Sequence, residues 1–248
     1  MTATQRSIGI SFIAIAGLGM AALAQPPERH RGFGPGGPMH AKVVTNEPYS
    51  GVGVTTSTQT LANGTTISHA DCVKVYRDSS GRTRREETRQ SSTCSATPQT
   101  IVISDPVAGV EYFINGTSNT YREHKFTPPA SGTTTTSTNR PTNPNSVQTS
   151  LGTETIPGTS LIADGTQTVV TIPAGERGNS QAITITSTRW YSPDLQIVIS
   201  SSRTDPRMGT TNYQLSNIST AEPAAALFQL PAGLTEEQGG PGHFGRPR

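Results

Sequence analysis

The sequence predicts a mainly β protein: a curved antiparallel sheet, open like a half-barrel or closed as a sandwich, of about 9–11 strands with little helix. Three observations lead there. Short β-prone runs recur along the chain, separated by clusters of Gly, Pro, Asn and Asp. Thr and Ser fill many strand positions and hold the hydrophobic content to 31%, as in a sheet that wets much of one face. Only Glu222–Phe228 has a composition suited to a helical turn, with Pro223 at a permitted first-turn position.

The chain opens with the parts of an export signal. Arg6 supplies a positive start, the run from Ile8 to Leu23 is uncharged, and Ala22 and Ala24 are small enough for a signal peptidase. That run is shorter than the ~20 residues of a membrane span, so residues 1–24 read as a cleaved signal peptide and no transmembrane span is expected afterwards. Residues 25–46, with Gly34-Pro35-Gly36-Gly37-Pro38, cannot bury enough apolar area to offset their ordering entropy. They read as a flexible linker, the domain as 47–234, and 235–248 as a flexible tail. His30, His40 and His243 fall in the linker and tail and read as solvated positions.

The domain begins with two β-prone runs, 49–61 and 65–77, joined about Asn63-Gly64, a pair that readily takes the positive φ values of a tight hairpin. A turn at Asp78-Ser79-Ser80-Gly81 leads into strand 82–89, and strands follow at 100–104, 110–115 and 120–126. Residues 127–149 carry a Thr run and Pro141 and Pro144 without hydrophobic period, so they read as a long disordered loop. Strands resume at 153–156, Asp164-Gly165 marks a turn into 166–172, and a meander follows over 181–190, 195–202 and 211–218. Asp105-Pro106-x-x-Gly109 and Asp205-Pro206-x-x-Gly209 are two copies of one turn element, each after an Ile-Val-Ile-Ser run.

The net charge of +2 offers no broad basic field, which excludes nucleic acid as the natural partner. Cys72 and Cys94 are the two cysteines, and in an oxidising compartment an isolated pair reads as a disulfide. If Ser80-Gly81 makes a tight hairpin, Cys72 faces a residue near Glu87, and the chain must fold back for Cys94 to reach it. No Gly-x-Ser-x-Gly, Walker loop, His-Glu-x-x-His or Cys-x-x-Cys is present, so no catalytic, metal or cofactor residues are assigned. His69 and His124 are the histidines within the domain and read as ordinary surface residues.

The densest charge run is Arg82, Arg84, Arg85, Glu86, Glu87 and Arg89. Alternation puts Arg85, Glu87 and Arg89 on one face and Arg82, Arg84 and Glu86 on the other. The plain reading is cross-strand pairing with Lys74, Asp71 or Arg77. The sharper one makes Arg82, Arg84 and Arg85 contacts for an anionic group such as a lipid headgroup. Tyr112, Tyr121, Trp190 and Tyr213 are candidates to line an apolar ligand cavity, with packing in the core as the competing account.

Residues from about 48 to 234 resemble an uncharacterised family of secreted β-rich bacterial proteins. The likeness rests on Gly81-Arg82-Thr83-Arg84-Arg85-Glu86-Glu87, Asp105-Pro106-Val107-Ala108-Gly109, Thr171-Ile172-Pro173-Ala174-Gly175, Arg189-Trp190-Tyr191-Ser192-Pro193-Asp194-Leu195 and Phe228-Gln229-Leu230-Pro231. More distantly, the order of elements is similar to the periplasmic lipoprotein-carrier superfamily. That resemblance implies an open half-barrel sheltering acyl chains, although this chain has no sizeable amphipathic helix before its first strand. The expectation is an exported, periplasmic or extracellular, non-enzymatic β-domain that binds an apolar or acylated ligand or an envelope protein. The alternatives are a structural or adhesive surface protein, and an enzyme without a recognisable motif.

Overall fold

The computed structural model describes residues 43–128 and 143–237, which belong to one compact unit. The expected signal peptide, most of the linker, His30, His40, His243 and the end of the tail lie outside the described residues. So does 129–142 of the expected Thr/Pro loop.

The strands are β1 (Tyr49–Thr60), β2 (Thr66–Arg77), β3 (Thr83–Thr88), β4 (Thr100–Asp105), β5 (Val110–Asn115) and β6 (Thr120–Lys125). They continue with β7 (Ser146–Thr155), β8 (Ile162–Ile172), β9 (Ile183–Ser192), β10 (Ile197–Asp205), β11 (Gly209–Ser219) and β12 (Thr235–Glu236). Among the described residues these twelve join one open sheet in the order β12-β6-β5-β4-β3-β2-β1-β11-β10-β9-β8-β7. The sandwich alternative is therefore excluded. Every pairing is antiparallel except that of β12 with β6. Two meanders meet at β1–β11: β1 to β6 grow outward in one direction, and β7 to β11 approach from the opposite edge. Among the described residues no helix is long and apolar enough to cross a membrane.

Turn chemistry sets the register. At Asn63-Gly64 only Gly64 takes positive φ, at 84°. The amide of Leu61 donates to the Thr65 carbonyl and that of Gly64 to the Leu61 carbonyl. The expected two-residue turn is thus a three-residue one, in which glycine alone supplies the left-handed position. The next hairpin repeats it: Gly81 has φ 82°, and buried Asp78 accepts from the amides of Ser80 and Arg82. In the Asp-Pro-x-x-Gly elements, Asp105 Oδ1 accepts from the amides of Val107 and Ala108, and Asp205 Oδ1 from that of Arg207.

Several boundaries depart from expectation. The expected 127–149 loop ends early, because β7 begins at Ser146 and pairs with β8 through Val147 opposite Val169. That strand owes its existence to a distant ladder and not to local pattern. Asp164-Gly165 lies inside β8, since Gly165 carries no side chain where the Trp190 ring crosses β8: a Cβ there would sit 2.6 Å from that ring. Order begins by residue 43, where the Asn46 amide donates to the Ser79 carbonyl. The helical turn is a single 3-10 turn, Ala225–Phe228. The tail expected to be flexible from 235 instead forms β12, and the Arg122 guanidinium meets the Glu237 carboxylate at 2.7 Å.

Both faces of the sheet are partly covered. On one, Tyr49, Val73, Val75, Tyr213 and Leu215 pack with Ile199 and with Ile156, Ala163 and Leu195 from the β7–β10 region. On the other, Ile103, Val110, Ile114 and Phe228 are buried, the last carried by the 3-10 turn where it contacts β3 and β4. Cys72 pairs in register with Thr88, the chain then folds back, and Cys72 and Cys94 are bonded with Cα atoms 5.4 Å apart. The Gln90 amide, at φ 55°, donates to Asp71 Oδ1 on the way.

Candidate functional site

Strand pairing assigns the arginines to faces. Arg85 stands opposite Val75 and Glu87 opposite Val73, so both share the face of Tyr49, Val73 and Val75. Arg84 and Glu86 stand on the other, opposite Tyr76 and Lys74. The ion pairs of this run follow the strand and do not cross it. Arg84 Nε meets Glu86 Oε1 at 2.7 Å, and Arg85 Nε meets Glu87 Oε1 at 2.7 Å. Residues two apart share a face, so each arginine finds its carboxylate along β3, and the cross-strand pairing expected with Lys74, Asp71 or Arg77 gives way to it.

Two of the three candidate anion contacts are committed to the fold. Arg82 holds Asp78 Oδ2 at 2.6 Å and lies 5.3 Å over the Phe228 ring. Arg84 Nη1 donates to the Leu227 carbonyl at 3.0 Å, fastening the C-terminal segment to β3. Arg85 differs: its Nη1 is buried and makes no hydrogen bond. Arg77, on the same face, is also structural. It stacks 4.7 Å over Tyr49 and donates to the Glu47 and Leu195 carbonyls, and burial lowers its pKa.

Tyr213 is the counterpart of Arg85. It lies opposite Thr55 on β11, is 2% exposed, and its hydroxyl also lacks a hydrogen bond. Its ring reaches across β1, where glycine makes room. A Cβ on Gly53 would lie 2.7 Å from Tyr213 Cε2 and Oη, and one on Gly51 would lie 3.0 Å from Leu215 Cδ1. Glycine at alternate strand positions removes one face of side chains and lets a neighbour cross. Burial pushes the Tyr213 phenol well above its ordinary pKa, Tyr49 adds to this, and Arg85 opposes it. Burial likewise raises Tyr49, against Arg77 and Arg85. The Arg85 guanidinium therefore acts on both phenols from within one patch.

Of the other aromatic candidates, Trp190 packs against the same core cluster, and two lie apart from it. Tyr112 and Tyr121 form an edge-on pair, centroids 6.1 Å apart, on the face opposite Tyr213. Trp190 packs over Gly165. Of the four, Tyr213 alone joins Arg85. His69 and His124 are exposed on different strands. The Tyr49-x-Gly51-x-Gly53 alternation is the signal in the sequence that marks this patch.

A depression of about 290 Å³ lies between Gly158–Leu161 and Ile218–Thr220. It is lined by hydroxyls, backbone and two aliphatic side chains, with no titratable group. Among the described residues no cluster of three or more His, Cys, Asp or Glu could hold a metal.

No family model matches the chain, and no curated protein matches it. Among solved structures it is similar to MucB in the MucA/MucB complex of Pseudomonas aeruginosa, at 11% identity and TM-score 0.39, over 75% of this chain and 56% of that one. MucB crystallised alone gives 12% and 0.40, over 78% and 60%. A LolA superfamily protein from Nitrosomonas europaea gives 8% and 0.31, over 76% and 92%. The chain thus spans under two thirds of the MucB chains it matches.

Proposed function

We propose that this chain is an exported, non-enzymatic β-sheet domain that binds an apolar or acylated ligand or a protein of the cell envelope. One observation carries the reading. Arg85 Nη1 and Tyr213 OH are buried donors left without an acceptor, beside the apolar Val73, Val75 and Leu215. A buried donor without an acceptor costs roughly 1–3 kcal/mol, and native folds keep few such groups unless strain, function, water or a bound species accounts for them.

The chemistry of the patch suits binding better than catalysis. A tyrosine whose pKa is raised by burial stays protonated, so it donates hydrogen bonds and does not serve as a base near neutral pH. The Cys72–Cys94 bond supports an oxidising compartment, in keeping with export. The structural or adhesive reading draws on β7, an edge strand whose residues after Ser146 are all exposed. Its unpaired backbone suits a partner that adds a strand.

Native mass spectrometry of protein purified from its own envelope tests the ligand reading. A co-purifying mass in the lipid range is expected. Absence of any adduct, together with failure to bind an acyl probe, would end it.

A further inference from the structure

We propose that β7 is a dimerisation edge, to which a second copy of this chain adds its own β7, antiparallel, about a two-fold axis at Thr149. This rests on the reading above in which β7 accepts an added strand, and it names that strand.

The edge is open and nearly uncharged. β7 ends one side of the sheet, and over its ten residues Glu154 is the one charged member. It carries neither the Lys nor the Pro with which edge strands discourage pairing. Three exposed apolar side chains gather on this side, Val147 and Leu151 on β7 and Ile162 on β8. The opposite edge differs. There β12 has two residues, and Arg122, Glu123, Lys125, Glu236 and Glu237 surround it. A further copy gains little by adding there, so association closes at the dimer.

Backbone and side chains select the same register. The Asn145 carbonyl accepts from the Thr171 amide, so the polar groups of Asn145 face β8. Alternation then turns those of Ser146, Gln148 and Ser150 outward. The Ser146 amide is taken by the Asn143 carbonyl, which leaves Gln148 and Ser150 offering both a donor and an acceptor. An axis at Thr149 sets each Gln148 opposite the other copy's Ser150 and satisfies all of these groups. The same axis sets Val147 opposite Leu151. Both lie on the face of Thr149, since Val147 and Thr149 stand opposite Val169 and Gln167 and Leu151 lies against Gly165. Val147 is 64% exposed and Leu151 41%, so pairing covers apolar surface that a single chain leaves in water. Gly152, at φ 82° beside the bulge in the β7–β8 ladder, bounds the paired segment. Glu154 falls beyond it, and the two carboxylates stay at opposite ends of the interface.

Sedimentation equilibrium of the exported full chain tests this, with an average mass that rises with concentration toward twice that of one chain. Thr149→Lys and Thr149→Glu each set like charges face to face across the axis and should raise the dissociation constant about tenfold. Mixing the two variants should restore association to at least its original strength, which damage to the fold cannot do. Thr149→Cys should link the copies under mild oxidation, because the Cα atoms of such a facing pair lie ~4.5 Å apart. A chain that stays monomeric, or charge variants that associate as the parent does, overturns the second copy at β7. Strand addition by another partner then stands if the Gln148 and Ser150 amides exchange freely with solvent in the monomer. Protection of those amides overturns that reading as well.

Discussion

Replacing Tyr213 by Phe should stabilise the protein in the absence of ligand, the reverse of what loss of a buried hydroxyl usually does. The phenol is 2% exposed, and its oxygen has no hydrogen bond. Folding therefore strips its water without replacing it, at roughly 1–3 kcal/mol. Deleting the oxygen leaves a void of at most ~10 Å³, worth ~0.2 kcal/mol. The ring still covers Gly53 and keeps its packing. The balance favours the variant by about 1 kcal/mol, which for a domain of this size raises Tm by about 2–4 °C. Urea unfolding followed by circular dichroism measures it, with an unchanged m-value as the check that the denatured state is comparable. An unfolding free energy that falls by ~1 kcal/mol would mean the hydroxyl is satisfied in solution and would refute the reasoning.

Four further outcomes follow from the same geometry. Gly53→Ala should lose about 1–3 kcal/mol, since its Cβ would lie 2.7 Å from Tyr213 Cε2 and 2.9 Å from Val73 Cγ1, and chemical denaturation of the variant measures it. Reducing the Cys72–Cys94 bond, which closes a separation of 22 residues, should cost roughly 3 kcal/mol by the chain-entropy argument, seen by comparing urea midpoints with and without reductant. Because burial raises Tyr49 and Tyr213, the unfolded chain ionises first; stability should hold below pH ~10 and fall above it by about 1.4 kcal/mol per pH unit for each buried phenol, with a shallower slope in Tyr213→Phe. Asp205 is held below the usual carboxylate range by hydrogen bonds from Arg207, so its contribution is present above the unfolded pKa near 4 and lost as pH falls through the lowered one; Asp205→Asn should cost about 1.5–3 kcal/mol at pH 7 and flatten the acid limb of a stability profile.

The strands were readable because this sheet is built from neighbours. Every antiparallel pairing except β1–β11 joins consecutive strands, and turn residues such as Gly64, Gly81, Asp105 and Asp205 record each reversal locally. What escaped was non-local. The first half of β7 has no hydrophobic period of its own and exists because Val169 and Val170 give it a ladder. β12 has two residues and depends on β6, with Glu237 anchored to Arg122 and Thr120. Asp164-Gly165 has the chemistry of a turn, yet its glycine serves the passage of the Trp190 ring.

The site was half readable for a related reason. Alternation sorted Arg85 from Arg84 correctly, because strand period is a local property, but it could not tell which arginine the fold would occupy. That depended on the C-terminal segment returning across β3 to bring the Leu227 carbonyl to Arg84 and the Phe228 ring beneath Arg82. These contacts span more than 140 residues. Once both arginines are engaged, Arg85 is the member of the trio with a buried donor that no acceptor meets, and the glycines of β1 let Tyr213 cross that strand from the other meander. The pair of buried donors thus comes from both halves of the sheet, which meet at β1, and neither half carries it alone.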